Sequence, residues 1–273
     1  MKRFFIFLMC NSLLTMSSFA QFHKIGEAFV KDGVPCVVIN VDESGKHGLA
    51  MSLVPKPKAL KAAKKTGEHK WFYIPKKLTG KDKKLINEYR AEYYNRNKCE
   101  SLKIRVSGVA APTRTVTSLS GKENMKNVID YCNEKGIAME MYFPEYHWAQ
   151  SLGDGWFIPG AEEMEMFIKI YGYEAFGIKH AQGISAHAKS TKSALNNYTS
   201  SLKELADSDD TSCFQDAFLP AFVAIQSSTM VNSGKTAESS FLLEMMQGLT
   251  GKSWYDMALS SKFKPYVCAV CEF

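Results

Sequence analysis

Past residue 20 the chain has no apolar run approaching the roughly 20 residues needed to cross a bilayer, so the body of the sequence offers no membrane-spanning helix. It also lacks a Gly-x-Ser-x-Gly elbow, a His-Glu-x-x-His pair and a Walker loop. Those absences remove the commonest serine-hydrolase, zinc-protease and nucleotide-phosphate sites. No internal repeat or low-complexity tract is present, which excludes solenoid architectures. The 6 histidines are scattered. Only His180 and His187 stand at same-face helical spacing, with Gly183 between them and no carboxylate near in sequence, far short of a metal-ligand set. No cofactor is expected.

What is present begins at the N-terminus. Lys2 and Arg3 precede an apolar run from Phe4 to Cys10 and a second patch at Leu13, Leu14 and Met16, followed by Ser18 and Ala20. This is the order of a cleavable secretory signal over residues 1–20, with small residues at the cleavage site. The expected mature chain is then residues 21–273, one large domain acting in the periplasm, at the cell surface or in the medium. Cys10 raises lipid modification as an alternative, against which stands the bulky Met9 before it.

In an oxidising compartment some of Cys36, Cys99, Cys132, Cys213, Cys268 and Cys271 are candidates for pairing, and sequence alone leaves every connectivity open. Cys268 and Cys271 have the spacing of a zinc knuckle or redox pair. They lie, however, in the strand-like run Tyr266 to Phe273, where positions three apart face opposite ways. The plainer reading makes Cys36, Cys132, Cys268 and Cys271 structural residues.

Charge is strongly local. From Pro55 to Arg105 there are sixteen Lys or Arg against five acids, a net +11 that exceeds the formal +6 of the whole chain, so the remainder is acidic. Aromatic residues, including Trp71, Phe72 and Tyr73, interleave with Lys61, Lys64 and Lys65, which suits a polyanion. A solvated lysine face with packed aromatics explains the same pattern, and an exported chain seldom meets nucleic acid. Within the segment, Leu85, Ile86, Tyr89 and Tyr93 predict a short amphipathic helix over 82–95.

Elsewhere, Val34 to Val41 and Gly48 to Leu53 flank an Asp-Glu-Ser-Gly turn and predict a hairpin. Ser120 and Glu123 form a capping-box signature ahead of Met125, Val128, Ile129 and Cys132, with Gly136 as a stop. A second helix should open at Pro159-Gly160, carry Met164, Phe167, Ile168 and Tyr171 inward and end at Gly172. Further elements are expected as a helix near 195–206, an acidic turn at 207–210 and strands at 156–158, 222–227 and 265–273.

Five islands in fixed order carry a resemblance. They are Val41-Asp42-Glu43-Ser44-Gly45-Lys46-His47-Gly48-Leu49, then Gly121-Lys122-Glu123-Asn124, then Gly155-Trp156-Phe157-Ile158-Pro159 with Glu163-Met164. Gln226-Ser227-Ser228-Thr229 and Tyr266-Val267-Cys268-Ala269-Val270 with Phe273 complete the set. Together the chain resembles the Lcl C-terminal-domain family, also called the major paralogous domain, of bacterial secreted and surface proteins. It departs at Gln226, where the family has Trp, and at Cys268, where it commonly has Arg. The resemblance implies an α+β, C-type-lectin-like fold: a small twisted antiparallel sheet, two main helices and long inserted segments at about 55–117 and 174–220. It further implies that strand 34–41 pairs with the closing strand and that Trp156 is a core ring.

The tripeptides that bind calcium and sugar in lectin-like folds (Glu-Pro-Asn, Gln-Pro-Asp, Trp-Asn-Asp) are absent, and Asp207, Asp209 and Asp210 read as a helix end in water. Glu145, Tyr146, His147 and Trp148 form a compact polar-aromatic cluster suited to lining a pocket. The expectation is therefore a non-enzymatic recognition or adhesion module that binds a surface protein, glycan or polyanion through loops on a rigid scaffold. Two rivals are kept: a cysteine-dependent enzyme of the same fold, and a structural subunit of a surface appendage assembled through strand edges.

Overall fold

In a computed structural model of the chain, the described residues are 22–55, 79–103, 113–169, 217–218, 223–231, 239–246, 249–255 and 266–273. They form an α+β fold of helices and mainly antiparallel sheets, with no closed barrel among them. The expected helix near 195–206, the acidic turn after it and Lys61, Lys64 and Lys65 fall outside the described residues.

The sequence builds its first sheet from tight connections. Strand β1 (Ala28–Lys31) turns into β2 (Val34–Val41) through Asp32-Gly33. Both turn residues hold positive φ, 52° and 77°, the two-residue hairpin geometry whose twist matches that of the strands. β2 then pairs with β3 (Gly48–Ser52) across the 42–47 loop, where the Ser44 hydroxyl donates to Asp42 at 2.7 Å. The later strands of this sheet come from far along the chain: β13 (Val270–Glu272) lies between β3 and β7 (Trp156–Phe157). The order is β1-β2-β3-β13-β7.

That order corrects the expectation that 34–41 pairs with the closing strand. β2 already has a partner on each side, β1 and β3, so its hydrogen-bonding edges are used; the closing strand takes the free edge of β3 instead. A second correction concerns 222–227. It forms part of β9 (Val223–Val231) in a separate four-stranded sheet with β10 (Ser239–Met246), β11 (Leu249–Tyr255) and β12 (Tyr266–Val267). β12 runs parallel to β9, the exception to the antiparallel pattern among the described strands. The closing segment is thus divided: two residues serve the second sheet and three the first. Between them the Ala269 carbonyl accepts from the Ser52 amide at 2.8 Å, and the Ala269 amide donates to Ser52 Oγ at 2.9 Å.

Helix α1 (Gly80–Asn97) opens on a reciprocal cap, Thr79 Oγ1 accepting from the Asp82 amide and Asp82 from the Thr79 amide. Its inward face is Ile86, Arg90, Tyr93 and Tyr94; Leu85 and Tyr89 are only half-buried. The predicted stripe is therefore rotated, because the face includes an arginine that a purely apolar count skips.

Helix α2 (Gly121–Lys135) buries Met125, Val128 and Cys132 and stops at Gly136 in the left-handed region. Its capping box is altered: Ser120 accepts from the Glu123 amide, but the Glu123 carboxylate accepts from Ser118 Oγ at 2.6 Å instead of from the Ser120 amide. Ser118 relays the cap, its hydroxyl oxygen accepting that amide at 3.2 Å.

Two short helices follow, α3 (Met139–Tyr142) and α4 (Pro144–Gln150). Helix α5 (Ala161–Lys169) buries Met164 and Phe167; the expected Tyr171 and Gly172 lie outside the described residues. A hairpin of β5 (Glu100–Lys103) and β6 (Thr113–Val116) follows α1. Finally, β4 (Val54–Pro55) pairs with β8 (Ala217–Phe218).

Candidate functional site

The polar-aromatic cluster at 145–148 does not form one open surface. Glu145 and Tyr146 are buried on α4, His147 is exposed and Trp148 half-buried. Glu145 faces Arg90 of α1, one guanidinium nitrogen donating to both carboxylate oxygens at 2.8 Å. The Arg90 Nε donates to the Tyr142 carbonyl at 2.8 Å and the guanidinium lies 5.1 Å from the Phe143 ring centroid. This buried pair locks α1 to the body. Glu145 and Tyr146 are buried in the core, and a glutamate in a Pro-Glu-Tyr helix start gives no sign in sequence of its partner fifty-five positions away.

The larger concentration of polar groups is a buried seam where α2, α5 and β9 meet. Ser228 of β9 donates its amide to the Pro159 carbonyl at 2.7 Å, while its own carbonyl accepts from the Tyr146 hydroxyl at 3.2 Å. Asn124 Nδ2 donates to the Ser118 carbonyl at 2.7 Å and to Ser228 Oγ at 3.1 Å. Thr229 Oγ1 donates to the same Ser118 carbonyl at 3.0 Å and accepts from the Ala161 amide at 2.9 Å. Met230 and Thr117 exchange bonds, the Met230 amide reaching Thr117 Oγ1 at 2.9 Å and the Thr117 amide reaching the Met230 carbonyl at 3.1 Å.

At the head of the seam two backbones touch. A Cβ on Gly121 would stand 2.2 Å from the Ile158 carbonyl oxygen, and one on Gly160 would stand 2.1 Å from that of Leu119. Only glycine fits at either position. The amides thus brought together point at one carboxylate: Glu163 accepts from Gly121 at 2.9 Å and from Gly160 at 2.7 Å. It caps both helix starts with a single side chain. Burial pushes its carboxyl up from the ordinary range, against the pull of those amides.

The seam gathers the second, third and fourth of the sequence islands: Gly121 and Asn124; Pro159 with Glu163; and Ser227, Ser228 and Thr229. Its hydroxyls, the Asn124 side-chain amide nitrogen and the Glu163 carboxylate bond to one another and to the backbone, while Asn124 Oδ1 is buried without a hydrogen-bond partner. Such an arrangement fixes the mutual orientation of the elements.

The thiols are equally poor chemistry. Cys36, Cys132, Cys268 and Cys271 are buried and Cys99 is exposed, all unpaired; Cys213 lies outside the described residues. Burial raises Cys36 strongly, Cys132 to about 11 and Cys268 to about 12, and it raises Cys99 as well. A nucleophilic cysteine needs the opposite shift. Cys271 lies on β13 opposite Ala50, while Cys268 lies in the link between β12 and β13. Trp156 is buried, and its indole N–H donates to the turn residue Asp32 at 2.9 Å. Among the described residues no group of three or more His, Cys, Asp or Glu could hold a metal, and no helix is long and apolar enough to cross a membrane.

Comparison of the chain with protein-family models, with curated proteins and with solved structures finds no match.

Proposed function

We propose that this chain is an exported, non-enzymatic recognition or adhesion module that presents inserted segments on a C-type-lectin-like scaffold and binds a polyanionic surface ligand. The carrying observation is the short β4–β8 ribbon, in which Val54 faces Phe218 and Pro55 faces Ala217. The lysine-rich segment departs just after Pro55, and the second long segment returns just before Ala217. The beginning of the first predicted insertion and the end of the second are therefore side by side, which favours a surface shared between them. The inward commitment of Glu145, Arg90, Glu163 and the buried thiols supports a scaffold role for the body over a catalytic one.

The direct test is retention of residues 21–273 on a sulfated-polysaccharide column. The wild type should elute at high salt with a steep salt dependence, and replacing Lys61, Lys64 and Lys65 by Ala should lower both the elution point and the slope, by roughly two to three counterions. Unchanged retention would remove the polyanion reading.

A further inference from the structure

The chain holds two Asp-Gly steps, Asp32-Gly33 and Asp154-Gly155, and no Asn-Gly step. At such a step the glycine amide nitrogen, unshielded by any Cβ, can reach the carboxyl carbon of the aspartate before it. A new N–C bond forms there as the carboxyl hydroxyl leaves with the amide proton as water, closing a succinimide ring. Water then opens the ring at either carbonyl. Opening at the main-chain carbonyl leaves the backbone running through the side-chain carbons, which is isoaspartate. Nothing is oxidised or reduced, and water is the only co-reactant.

Both steps lie in exposed turns whose glycines hold positive φ, 77° at Gly33 and 78° at Gly155. What separates them is the carboxylate. Asp32 is tied across the molecule: its Oδ2 accepts from the Trp156 indole N–H at 2.9 Å, and Trp156 itself is buried. To meet its own Gly33 amide, that carboxylate must first give up a hydrogen bond made to a charged acceptor, which slows the step by about tenfold or more. Asp154 and Gly155 have no such tie, since neither forms a hydrogen bond or ion pair among the described residues. Glycine on either side, at Gly153 and Gly155, leaves Asp154 without a neighbouring side chain to crowd the ring.

We propose that Asp154 is a modification site of the folded protein, converting spontaneously to isoaspartate, and that Trp156 shields Asp32 from the same change. The product places an extra methylene in the main chain two residues before Trp156. Trp156 and Phe157 make up β7, held to Cys271 and Val270 of β13. A longer connection there shifts the indole against Asp32, so the change at Asp154 loosens the edge of the first sheet together with the bond that protects the other step.

The purified protein, incubated folded in mildly acidic buffer, is followed by peptide mapping and by enzymatic methylation of isoaspartyl carboxyls. Isoaspartate should accumulate at Asp154 about tenfold or more faster than at Asp32. In urea, where the indole no longer holds Asp32, the two steps should react at similar rates, and this comparison needs no variant. Asp154→Glu should remove the signal at that position. Trp156→Phe, which keeps a buried ring but loses the donor, should bring Asp32 to the rate of Asp154. Equal accumulation at Asp32 and Asp154 in the folded wild type would overturn the proposal, as would folded protein free of isoaspartate at Asp154 under conditions where the unfolded chain forms it. Folded Trp156→Phe protein with Asp32 still unreactive would overturn the shielding role of the indole.

Discussion

Glu163 shows how one side chain can be both necessary and costly. Its carboxylate serves two backbone amides from different elements, yet burial raises its proton affinity in the folded state. The native state then binds more protons than the unfolded chain above the ordinary carboxyl value of 4.5, and stability falls as pH rises through the folded pKa. Urea denaturation as a function of pH should show this decline in the wild type, and Glu163→Gln should flatten it. An identical slope in the two proteins would mean that another group carries the titration. The glycines facing that carboxylate make a simpler prediction: Gly160→Ala drives a methyl into the Leu119 carbonyl and should destabilise by about 1–3 kcal/mol, read as a lower urea midpoint. The cysteines divide by exposure. A thiol reagent applied to residues 21–273 carrying Cys213→Ser should modify Cys99 alone in native conditions and all remaining cysteines in denaturant. Rapid native reaction of a second thiol would show that the buried set opens.

At the level of elements, the seating of α1 turns on Arg90 and Glu145, reinforced at the surface by Arg96 with Glu134 and by Lys135 with Glu92. The surface pairs are partly hydrated and contribute little individually. The buried pair is different: Arg90→Met strands a carboxylate and should cost about 3–5 kcal/mol, whereas adding Glu145→Leu should recover most of it. Chemical denaturation of both variants decides the point, and a double variant no better than the single one would contradict it. That pair also marks the boundary of what the residues could say in advance. The start and stop of α2 were legible because Ser120 and Gly136 act within one turn of the chain, and the β2–β3 hairpin because its turn residues are contiguous. Arg90 looked like one cation among many in a basic segment, since only the distant Glu145 gives it a buried role. Glu145 reads as a pocket residue in sequence for the same reason. The pairing of β13 with β3 was likewise invisible: alternation defines a strand's faces but not which edge accepts it.

For the whole molecule, the decisive feature is that the first sheet is completed by residues far apart in sequence. β13 fills the space between β3 and β7, pairing Val270 with both Met51 and Phe157. The ends are held further by an aromatic cluster in which His23 lies 4.6 Å from Phe29 and 4.8 Å from Phe273. Contacts of such separation give no reward until long loops have closed, so the sheet should form late and cooperatively, on the millisecond-to-second scale typical of non-local β pairing. Removing residues 270–273 takes away the strand that joins β7 to β3 and should abolish the cooperative unfolding transition seen by circular dichroism. The matching control leaves β13 in place and disturbs only its surface: Lys122 and Glu272 form a solvent-exposed pair at 2.7 Å, and replacing both by Ala should shift stability by no more than about 1 kcal/mol. A truncated chain that unfolds with the wild-type midpoint would mean that β13 merely decorates the sheet.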